Sequence, residues 1–339
     1  MMNEHFQLSA RFPSNIALVK YWGKKGNQLP CNPSISLTLS QAFTEIELVG
    51  KKKSEDATNI KYLFENQENK AFCERIVRYA ESQPEFQTLL REYSLEFSSK
   101  NSFPHSAGIA SSASAFATIA AVLLKAAQPQ LTEEIFKREN SRLARLGSGS
   151  ACRSIYGEFA LWGEISSISN SSDEFAVPLT DIHPNFQQFH DSILIVEDEP
   201  KKVSSSVGHA LMNEHPYATA RFEDARKHTS ELISILKNGD YEAFISLVER
   251  EALSLHAMMM TSNDYYLLVK PQTIAIINKI FAFRDATKLP VCFTLEAGPN
   301  IHLLYPDFIK EKVNTFVQNL SNELKNVIFD QAGEGGVIF

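Results

Sequence analysis

Alternating hydrophobic and polar residues in the first third of the chain predict β-strands. The alternation has a period of two at residues 42–49 and again at residues 93–97, as expected for strands with one buried face. A charged run at residues 51–56 fits the loop of a hairpin. Residues 75–82 and 85–92 instead repeat their hydrophobic positions at helical spacing, so this region is predicted to mix strands with short helices.

The middle of the chain predicts two helices and two strands. Residues 113–127 are rich in Ala and Leu and are predicted to form a buried helix. Residues 131–143 are predicted to form a second helix, with Thr132 as its N-cap. Hydrophobic runs at residues 158–162 and 192–196 are predicted to be strands.

The second half of the chain separates longer helices from strands. The predicted helices cover residues 218–236, 241–255, 271–283 and 307–324, and the predicted strands cover residues 291–295, 301–305 and 326–329. Because strands and helices do not alternate regularly, we predict an α+β fold in two layers and not a doubly wound sheet. We place a domain boundary near residue 187, with an N-terminal domain at residues 1–187 and a C-terminal domain at residues 188–339.

Composition narrows the class of protein. The chain has 339 residues, 44% of them hydrophobic and 22% charged, which is typical of a packed globular protein of one large or two ordinary domains. With 33 Lys and Arg against 40 Asp and Glu, the net charge is −7, which argues against a nucleic-acid partner. The four cysteines are far apart and form no C-x-x-C motif, so we expect neither disulfides nor a zinc site.

The sequence also indicates a cellular location. Residues 1–8 lack the apolar segment of a signal peptide. The uncharged stretch at residues 107–124 contains a glycine and several hydroxyl side chains, which make it too polar at one end for a membrane span. We therefore expect a cytoplasmic protein with no membrane partner.

A run of small residues at 104–113, just before the Ala-rich helix, is the strongest candidate for binding chemistry. Small side chains let the backbone approach a ligand closely, and the helix N-terminus directs unpaired N–H groups toward that ligand. Gly108, Ser111 and Ser112 therefore indicate a phosphate site, with Ser112 as a candidate Mg²⁺ ligand. The same pattern also fits a helix start packed tightly beneath a sheet, and it lacks the G-K-[ST] of a Walker A loop.

Two further segments carry cations and hydroxyls. An apolar strand is followed by Lys20, Tyr21 and Lys24, which can converge on an anion or stand as solvated residues of an edge strand. A flexible turn contains Ser148 and is followed by Arg153, whose guanidinium matches a carboxylate bidentately. A surface turn with an exposed arginine is the alternative for that segment.

The remaining candidates lie in the second half of the chain. Ser205 belongs to a hydroxyl-rich stretch with lysines, which is also consistent with a solvated linker. Glu296 follows a predicted strand and precedes a Gly-Pro turn, where it is either a general base or an ordinary charged turn residue. The histidines show no metal-ligand spacing, and His256 is a candidate for supporting the site from behind.

Taken in order, these segments resemble the diphosphomevalonate decarboxylase family, within the superfamily of galactokinase, homoserine kinase, mevalonate kinase and phosphomevalonate kinase. The matching motifs are N-I-A-L-V-K-Y-W-G-K at 15–24, N-P-S-I-S-L-T-L at 32–39, F-P-H-S-A-G-I-A-S-S-A at 103–113, G-S-G-S-A-C-R-S at 147–154, K-V-S-S at 202–205 and E-A-G-P-N at 296–300. The resemblance spans nearly the whole chain. It implies an N-terminal α+β sandwich domain and a ferredoxin-like C-terminal domain, usually as a homodimer, and allows the last strand to return to the N-terminal domain.

The resemblance also implies a reaction. ATP, with Mg²⁺, would phosphorylate the 3-hydroxyl of mevalonate 5-diphosphate, and loss of phosphate and carbon dioxide would then give isopentenyl diphosphate. The implied roles are ATP phosphate and Mg²⁺ binding by Gly108, Ser111 and Ser112; diphosphate binding by Tyr21, Lys24, Ser148 and Ser205; carboxylate pairing by Arg153; and charge stabilisation by Lys20.

The chain departs from the family at Glu296, where relatives have the Asp that accepts the 3-hydroxyl proton. The backbone can have retreated so that Glu296 does the same work. Alternatively, the substrate is a relative such as mevalonate 5-phosphate, the reaction stops at phosphorylation as in a mevalonate-type 3-kinase, or the site is impaired. A non-catalytic binding protein would need no such set of charged residues. We favour the first interpretation because the other catalytic-looking positions are retained.

Overall fold

The structure is a computed structural model that describes residues 4–53, 60–104, 109, 111–198 and 205–339, with the backbone alone at residues 205 and 206. The hairpin loop predicted at residues 51–56 therefore lies partly outside the described residues.

Its strands are β1 (His5–Val19), β2 (Lys24–Lys25), β3 (Leu29–Pro30), β4 (Ser34–Lys52), β5 (Ile60–Phe64), β6 (Gln67–Glu68), β7 (Tyr93–Asn101), β8 (Phe159–Trp162), β9 (Ala176–Pro178), β10 (Phe189–Ile195), β11 (Cys292–Leu295), β12 (Ile301–Pro306), β13 (Asn326–Gln331) and β14 (Val337–Ile338). Its helices are α1 (Lys70–Glu81), α2 (Gln87–Glu92), α3 (Ser111–Ala127), α4 (Glu133–Gly147), α5 (Ser205–Leu211), α6 (Ala218–Asn238), α7 (Tyr241–Thr261), α8 (Pro271–Thr287) and α9 (Lys310–Asn319). A 3₁₀ segment at Gly149–Ile155 follows α4.

The strands and helices predicted from the hydrophobic pattern are confirmed, although several ends differ. β4 begins at Ser34 and not at residue 42. Residues 34–39 alternate polar and apolar side chains as S-I-S-L-T-L, a strand pattern that the prediction left out, and all six are buried. Thr132 lies at the N-cap of α4, but its side chain makes no capping hydrogen bond with any described residue.

Two predicted helices are shorter than expected. The segment predicted at residues 85–92 begins as a 3₁₀ turn, Pro84–Phe86, and only then continues as α2. The helix predicted at residues 307–324 is wrong in its extent, because α9 is flanked by 3₁₀ turns at Asp307–Ile309 and Ser321–Glu323.

The first half of the chain is built on a large, mostly antiparallel sheet. β1 and β4 pair along most of their length, from His5 opposite Lys51 to Val19 opposite Ile35. The main path runs β14-β1-β4-β7-β5-β6, and β8 and β9 extend from β4. α3 packs against β1, β4 and α4, and every residue from Ala113 to Leu124 is buried. A helix that is apolar on all sides belongs inside a domain, as predicted for this segment.

The second half of the chain forms a four-stranded antiparallel sheet in the order β11-β12-β10-β13. Helices α6 to α8 precede β11, and α9 joins β12 to β13. This β-α-β-β-α-β arrangement is ferredoxin-like, so the predicted α+β fold with a two-layer first domain and a ferredoxin-like second domain is confirmed.

β1 ends where the two halves of the molecule meet. Val19 belongs to the same buried cluster as Leu232 of α6 and Val248 of α7. β14 pairs with β1, with Ala10 opposite Ile338, so the last strand lies in the first sheet. The residues just after β1 are therefore surrounded by side chains from both halves.

Candidate active site

Lys20 lies immediately after β1, and its side chain is 1% exposed. Its Nζ donates hydrogen bonds to the Glu296 Oε1 at 3.0 Å and to the carbonyl oxygen of Ala17 at 2.5 Å. Burial lowers the pKa of Lys20, and the nearby carboxylates of Glu296 and Glu251 oppose that shift. The ammonium group is thus held in a fixed direction against a carboxylate.

Glu296 follows directly after β11 and reaches across to β1. Its Oε1 accepts hydrogen bonds from the backbone N–H of Ala17 at 3.2 Å and from Lys20. Its side chain is 23% exposed, so the carboxylate lies at the rim of the site. The Nε2 of His256 on α7 donates to the Glu296 carbonyl oxygen at 3.1 Å, which fits the expectation that this histidine supports the site from behind.

Arg153 lies in the 3₁₀ segment and is 2% exposed. Its guanidinium donates to the Ser34 Oγ at 2.6 Å and to the Asn15 Oδ1 at 3.2 Å. Burial lowers the pKa of Arg153, while nearby groups, including Cys152 and Glu296, act in the opposite direction. Within the described residues it forms no salt bridge with a carboxylate, although a buried charge is costly without one. The arrangement suits the binding of an anionic ligand.

Tyr21 and Lys24 lie on the next stretch of chain. The Tyr21 ring packs between Trp162 and His209, with ring centroids 4.6 Å and 4.3 Å away. The Lys24 Nζ donates to the Gln28 Oε1 at 3.0 Å. Burial and the nearby guanidinium of Arg75 both lower the pKa of Lys24.

The turn after α4 meets the N-terminus of α3. The hydroxyls of Ser112 and Ser148 are 3.3 Å apart, so the structure brings together two serines that the sequence places in separate motifs. Ser111 is the first residue of α3. Arg75 of α1 donates to the carbonyl oxygen of Gly147, the last residue of α4, at 2.8 Å.

Two predicted site residues receive only limited description. Gly108 lies outside the described residues. Ser205 is the first residue of α5, and its side chain lies outside the described part of the chain.

Several residues around the site were not singled out from the sequence. Asn15 and Ser34 bind Arg153, and both stand inside motifs that carry the family resemblance, so that signal was present. His209 accepts a hydrogen bond from the Gly23 backbone N–H at 3.0 Å through its Nδ1. Burial, together with Lys24 and Arg153, lowers the pKa of His209 to about 3, so the ring is neutral near pH 7.

The cluster of positive charge defines what the site can bind. Arg153 is close enough to lower the pKa of Lys20, Lys24 and Arg153 both lower the pKa of His209, and Glu296 contacts Lys20. Such a concentration of cations attracts a ligand with several negative charges. No group of three or more His, Cys, Asp or Glu side chains suited to a metal ion occurs among the residues that the structure describes.

The fold has the architecture of the small-molecule kinase superfamily, and the cluster of cations suits a phosphorylated ligand. Two family models match the chain: the diphosphomevalonate decarboxylase-like N-terminal domain over residues 12–176, and the mevalonate 5-diphosphate decarboxylase C-terminal domain over residues 192–334. The chain belongs to the diphosphomevalonate decarboxylase family.

Individual relatives are similar over most of their length. The chain is 31% identical to diphosphomevalonate decarboxylase of Ganoderma lucidum, covering 92% of this chain and 82% of the relative. It is 31% identical to the Saccharomyces cerevisiae enzyme of the same name, covering 93% and 82%.

Solved structures show the same similarity. Mevalonate diphosphate decarboxylase of Staphylococcus aureus superposes with a TM-score of 0.86 at 29% identity, covering 99% of this chain and 98% of that one. The protein called MDDEF, solved in complex with MVAPP, AMPPCP and magnesium, has a TM-score of 0.84 at 27% identity, covering 99% of both chains.

Proposed function

We propose that the protein catalyses the ATP-dependent decarboxylation of mevalonate 5-diphosphate to isopentenyl diphosphate. The observation that carries the proposal is the contact between Lys20 and Glu296 beside the buried guanidinium of Arg153, in a chain of this family. The ternary complex of MDDEF supports the choice of ligands.

In the first step, the 3-hydroxyl oxygen attacks the γ-phosphorus of ATP and ADP leaves. Glu296 accepts the hydroxyl proton, and Lys20 holds the carboxylate and offsets the charge that develops nearby. Phosphoryl transfer depends mainly on positioning and charge stabilisation, so a rigid Lys–Glu pair is the expected kind of machinery.

In the second step, the bond between C3 and the phosphate oxygen breaks together with the bond to the carboxylate carbon. The electron pair of the carbon–carbon bond becomes the new double bond, and phosphate and carbon dioxide depart. Arg153 binds the carboxylate before it is lost. Its hydrogen bonds to Asn15 and Ser34 fix the direction of the guanidinium fork.

The phosphate groups occupy the turn beside α3 in this proposal. Tyr21, Lys24, Ser148 and Ser205 bind the substrate diphosphate. Gly108, Ser111 and Ser112 bind the ATP phosphates. The Ser112–Ser148 contact of 3.3 Å supports the proposal, because it brings the two phosphate-binding groups side by side.

Mg²⁺ fits this site as an ion carried by the nucleotide. The described residues offer hydroxyls here and no carboxylate cluster, and Mg²⁺ is often bound largely through phosphate oxygens and water. Ser112 is the residue we propose to contact it. When bound, the ion neutralises phosphate charge.

Glu296 does the work of the family's Asp in this proposal. Its carboxylate contacts both the Ala17 N–H and the Lys20 ammonium, so the longer side chain is anchored and not loose at the rim. This supports the interpretation in which the backbone has adapted to the extra methylene.

Product analysis tests the function. The protein is incubated with ATP, Mg²⁺ and mevalonate carrying no phosphate, a 5-phosphate or a 5-diphosphate. We expect carbon dioxide and isopentenyl diphosphate from the 5-diphosphate alone. ADP release without carbon dioxide would identify a 3-kinase, and turnover of the 5-phosphate would identify a mevalonate 5-phosphate decarboxylase.

The domain division, assembly and location are parts of the same proposal. We propose domains at residues 1–187 and 188–339. The boundary falls between β9, which belongs to the first sheet, and β10, which is the first strand along the chain to belong to the second sheet. We also propose a cytoplasmic homodimer, which light scattering would test. Across the residues that the structure describes, no helix is both long and apolar enough to cross a membrane.

A further inference from the structure

A buried charged cluster from α6 and α7 contacts the backbone of Lys20. Glu251 of α7 is 0% exposed, and its Oε2 accepts a hydrogen bond from the Lys20 backbone N–H at 2.9 Å. Arg221 of α6 donates to both Glu251 oxygens, at 3.0 Å and 2.6 Å. The Nδ1 of His228 contacts the Oε1 at 2.5 Å. Nothing in the proposed reaction uses this cluster directly.

We propose that Glu251, held by Arg221 and His228, is a positioning residue that orients Lys20 toward Glu296. The predicted effect on catalysis rests on the proposed function. The predicted effect on the orientation of Lys20 rests on the geometry alone.

Both peptide groups of Lys20 depend on side chains. The residue lies just past the last β1 pair, Val19 opposite Ile35, so the strand ladder no longer serves it. Glu251 accepts from its N–H, and the Asn32 Nδ2 donates to its carbonyl oxygen at 3.0 Å. Buried backbone groups need such partners, and here the partners also determine where the ammonium is directed.

The cluster is an expensive way to stabilise a core. Removing a carboxylate, a guanidinium and an imidazole from water costs free energy that apolar side chains of similar size would not cost. Burial raises the pKa of Glu251. The hydrogen bonds and charges of His228, Arg221 and the Lys20 N–H lower it by more, so the pKa of Glu251 lies below its usual value. Glu251 is therefore ionised at neutral pH, and it gives Lys20 a fixed negative neighbour.

This neighbour also affects the charge on Lys20. Burial lowers the pKa of Lys20, as does Arg153 from the 3₁₀ segment. Glu296 after β11 and Glu251 on α7 act in the opposite direction. Loss of the Glu251 charge should therefore lower the pKa of Lys20 further and shift the alkaline limb of the rate profile to lower pH.

Glu249 provides a matched control on the same helix. It is buried and accepts from Arg284 at 2.6 Å and 3.2 Å, so it too is a buried Glu–Arg pair. Its backbone contact is the Phe293 N–H in β11, at 3.3 Å, and not Lys20. Glu249→Gln thus reproduces the loss of stability expected from breaking a buried Glu–Arg pair, and it removes no contact with β1 or Lys20.

The first experiment compares Glu251→Gln with Glu249→Gln. If Glu251 positions Lys20, kcat should fall about 10- to 100-fold in Glu251→Gln with little change in KM, because the reacting groups are misplaced while the binding groups remain. The alkaline limb should also move to lower pH. Glu249→Gln should keep the wild-type kcat and pH profile at a comparable loss of Tm. Arg221→Lys, which retains the charge and loses the fork, should change kcat in the same direction as Glu251→Gln.

The second experiment does not depend on turnover. Folded protein is treated briefly with acetic anhydride, and acetylation of Lys20 is measured by mass spectrometry. We expect Lys20 to be protected in the wild type and in Glu249→Gln, and labelled several-fold faster in Glu251→Gln. Equal protection in all three proteins, or equal kcat losses in the two Gln variants, would overturn the proposal. Failure of the wild type to make isopentenyl diphosphate would overturn only the proposed function, because the labelling result stands by itself.

Discussion

Arg153 and Glu296 carry opposite charges in one site and are held by different halves of the molecule. The guanidinium is fixed by Asn15 of β1 and Ser34 of β4, both in the first sheet. Glu296 follows β11 of the second sheet. Its carboxylate contacts Ala17 and Lys20, at the junction where the end of β1 meets the second half of the molecule.

Because different halves hold the two residues, the binding of the substrate carboxylate by Arg153 can be disturbed separately from proton transfer to Glu296. A small displacement between the two halves would leave the Arg153 pocket intact and would pull Glu296 away from Lys20. We therefore expect changes at the junction to reduce kcat, and changes in the Arg153 pocket to weaken the binding of the substrate carboxylate as well.

Glu296→Gln should give the largest loss. The amide keeps the size and polarity of the side chain and cannot accept the hydroxyl proton. General base catalysis contributes roughly 10²- to 10⁴-fold, so a kcat loss in that range is expected in a coupled ADP-release assay. Production of isopentenyl diphosphate at the wild-type rate would show that the carboxylate is not the base.

Glu296→Asp sharpens the same test. It restores the family's residue and withdraws the carboxylate by one methylene from Ala17 and Lys20. Because misplacement by about 1 Å can cost 10²-fold, we expect activity to fall. An increase in activity on mevalonate 5-diphosphate would instead identify the natural site as impaired.

Arg153→Lys should come next in size. A point charge replaces the planar fork, so the Asn15 and Ser34 contacts and the bidentate grip on the carboxylate cannot all be kept. We expect kcat/KM for the substrate to fall by about 10²-fold, with the KM for ATP nearly unchanged. A variant with near wild-type turnover would remove Arg153 from the proposed carboxylate site.

Ser112→Ala should have a smaller effect. The variant loses one hydroxyl beside Ser148 at the N-terminus of α3 and keeps the backbone N–H groups there. We expect a loss of about 10-fold, since a hydrogen bond to a charged group is worth about 1.5 kcal/mol and the phosphates keep their other partners. A titration of rate against Mg²⁺ checks the assignment, and an unchanged rate and Mg²⁺ dependence would contradict it.

Local pattern was sufficient for most of the fold, and its errors lie at the ends of the elements. α6 and α7 were predicted close to their observed starts because their hydrophobic positions recur at helical spacing. The first part of β4 was left out of the predicted strand although residues 34–39 alternate as S-I-S-L-T-L. Both faces of this part are buried, so its Ser and Thr side chains lie inside the fold as well. The residues of the site also differ in whether the sequence identifies them. Lys20 and Glu296 stand in recognisable motifs, whereas Glu251 is one acidic residue in a charged helical stretch, and only the folded chain brings it to β1.

The smallest predicted effect concerns how stability depends on pH. It is measured on the folded protein without any turnover of substrate. Burial and the surrounding cations lower the pKa of His209 from 6.5 to about 3 in the folded chain. The unfolded chain therefore binds more protons between these two values, and the free energy of unfolding contributed by this residue is present above pH 6.5 and is lost as the pH falls toward 3. His209→Asn keeps an acceptor near the position of Nδ1 for the Gly23 N–H and removes the titrating ring.

Urea denaturation at several values between pH 5 and pH 7.5 measures the difference. The slope of unfolding free energy against pH should be shallower in His209→Asn than in the wild type, because one group that resists protonation in the folded state is gone. Glu249→Gln serves as a comparison of opposite sign. Burial raises the pKa of Glu249, so the folded chain holds this proton to higher pH than the unfolded chain, and removing the carboxyl should make the slope steeper. Identical slopes in the wild type and His209→Asn would show that the ring titrates normally. In that case burial and the nearby Lys24 and Arg153 would not lower the pKa of His209 in the folded chain.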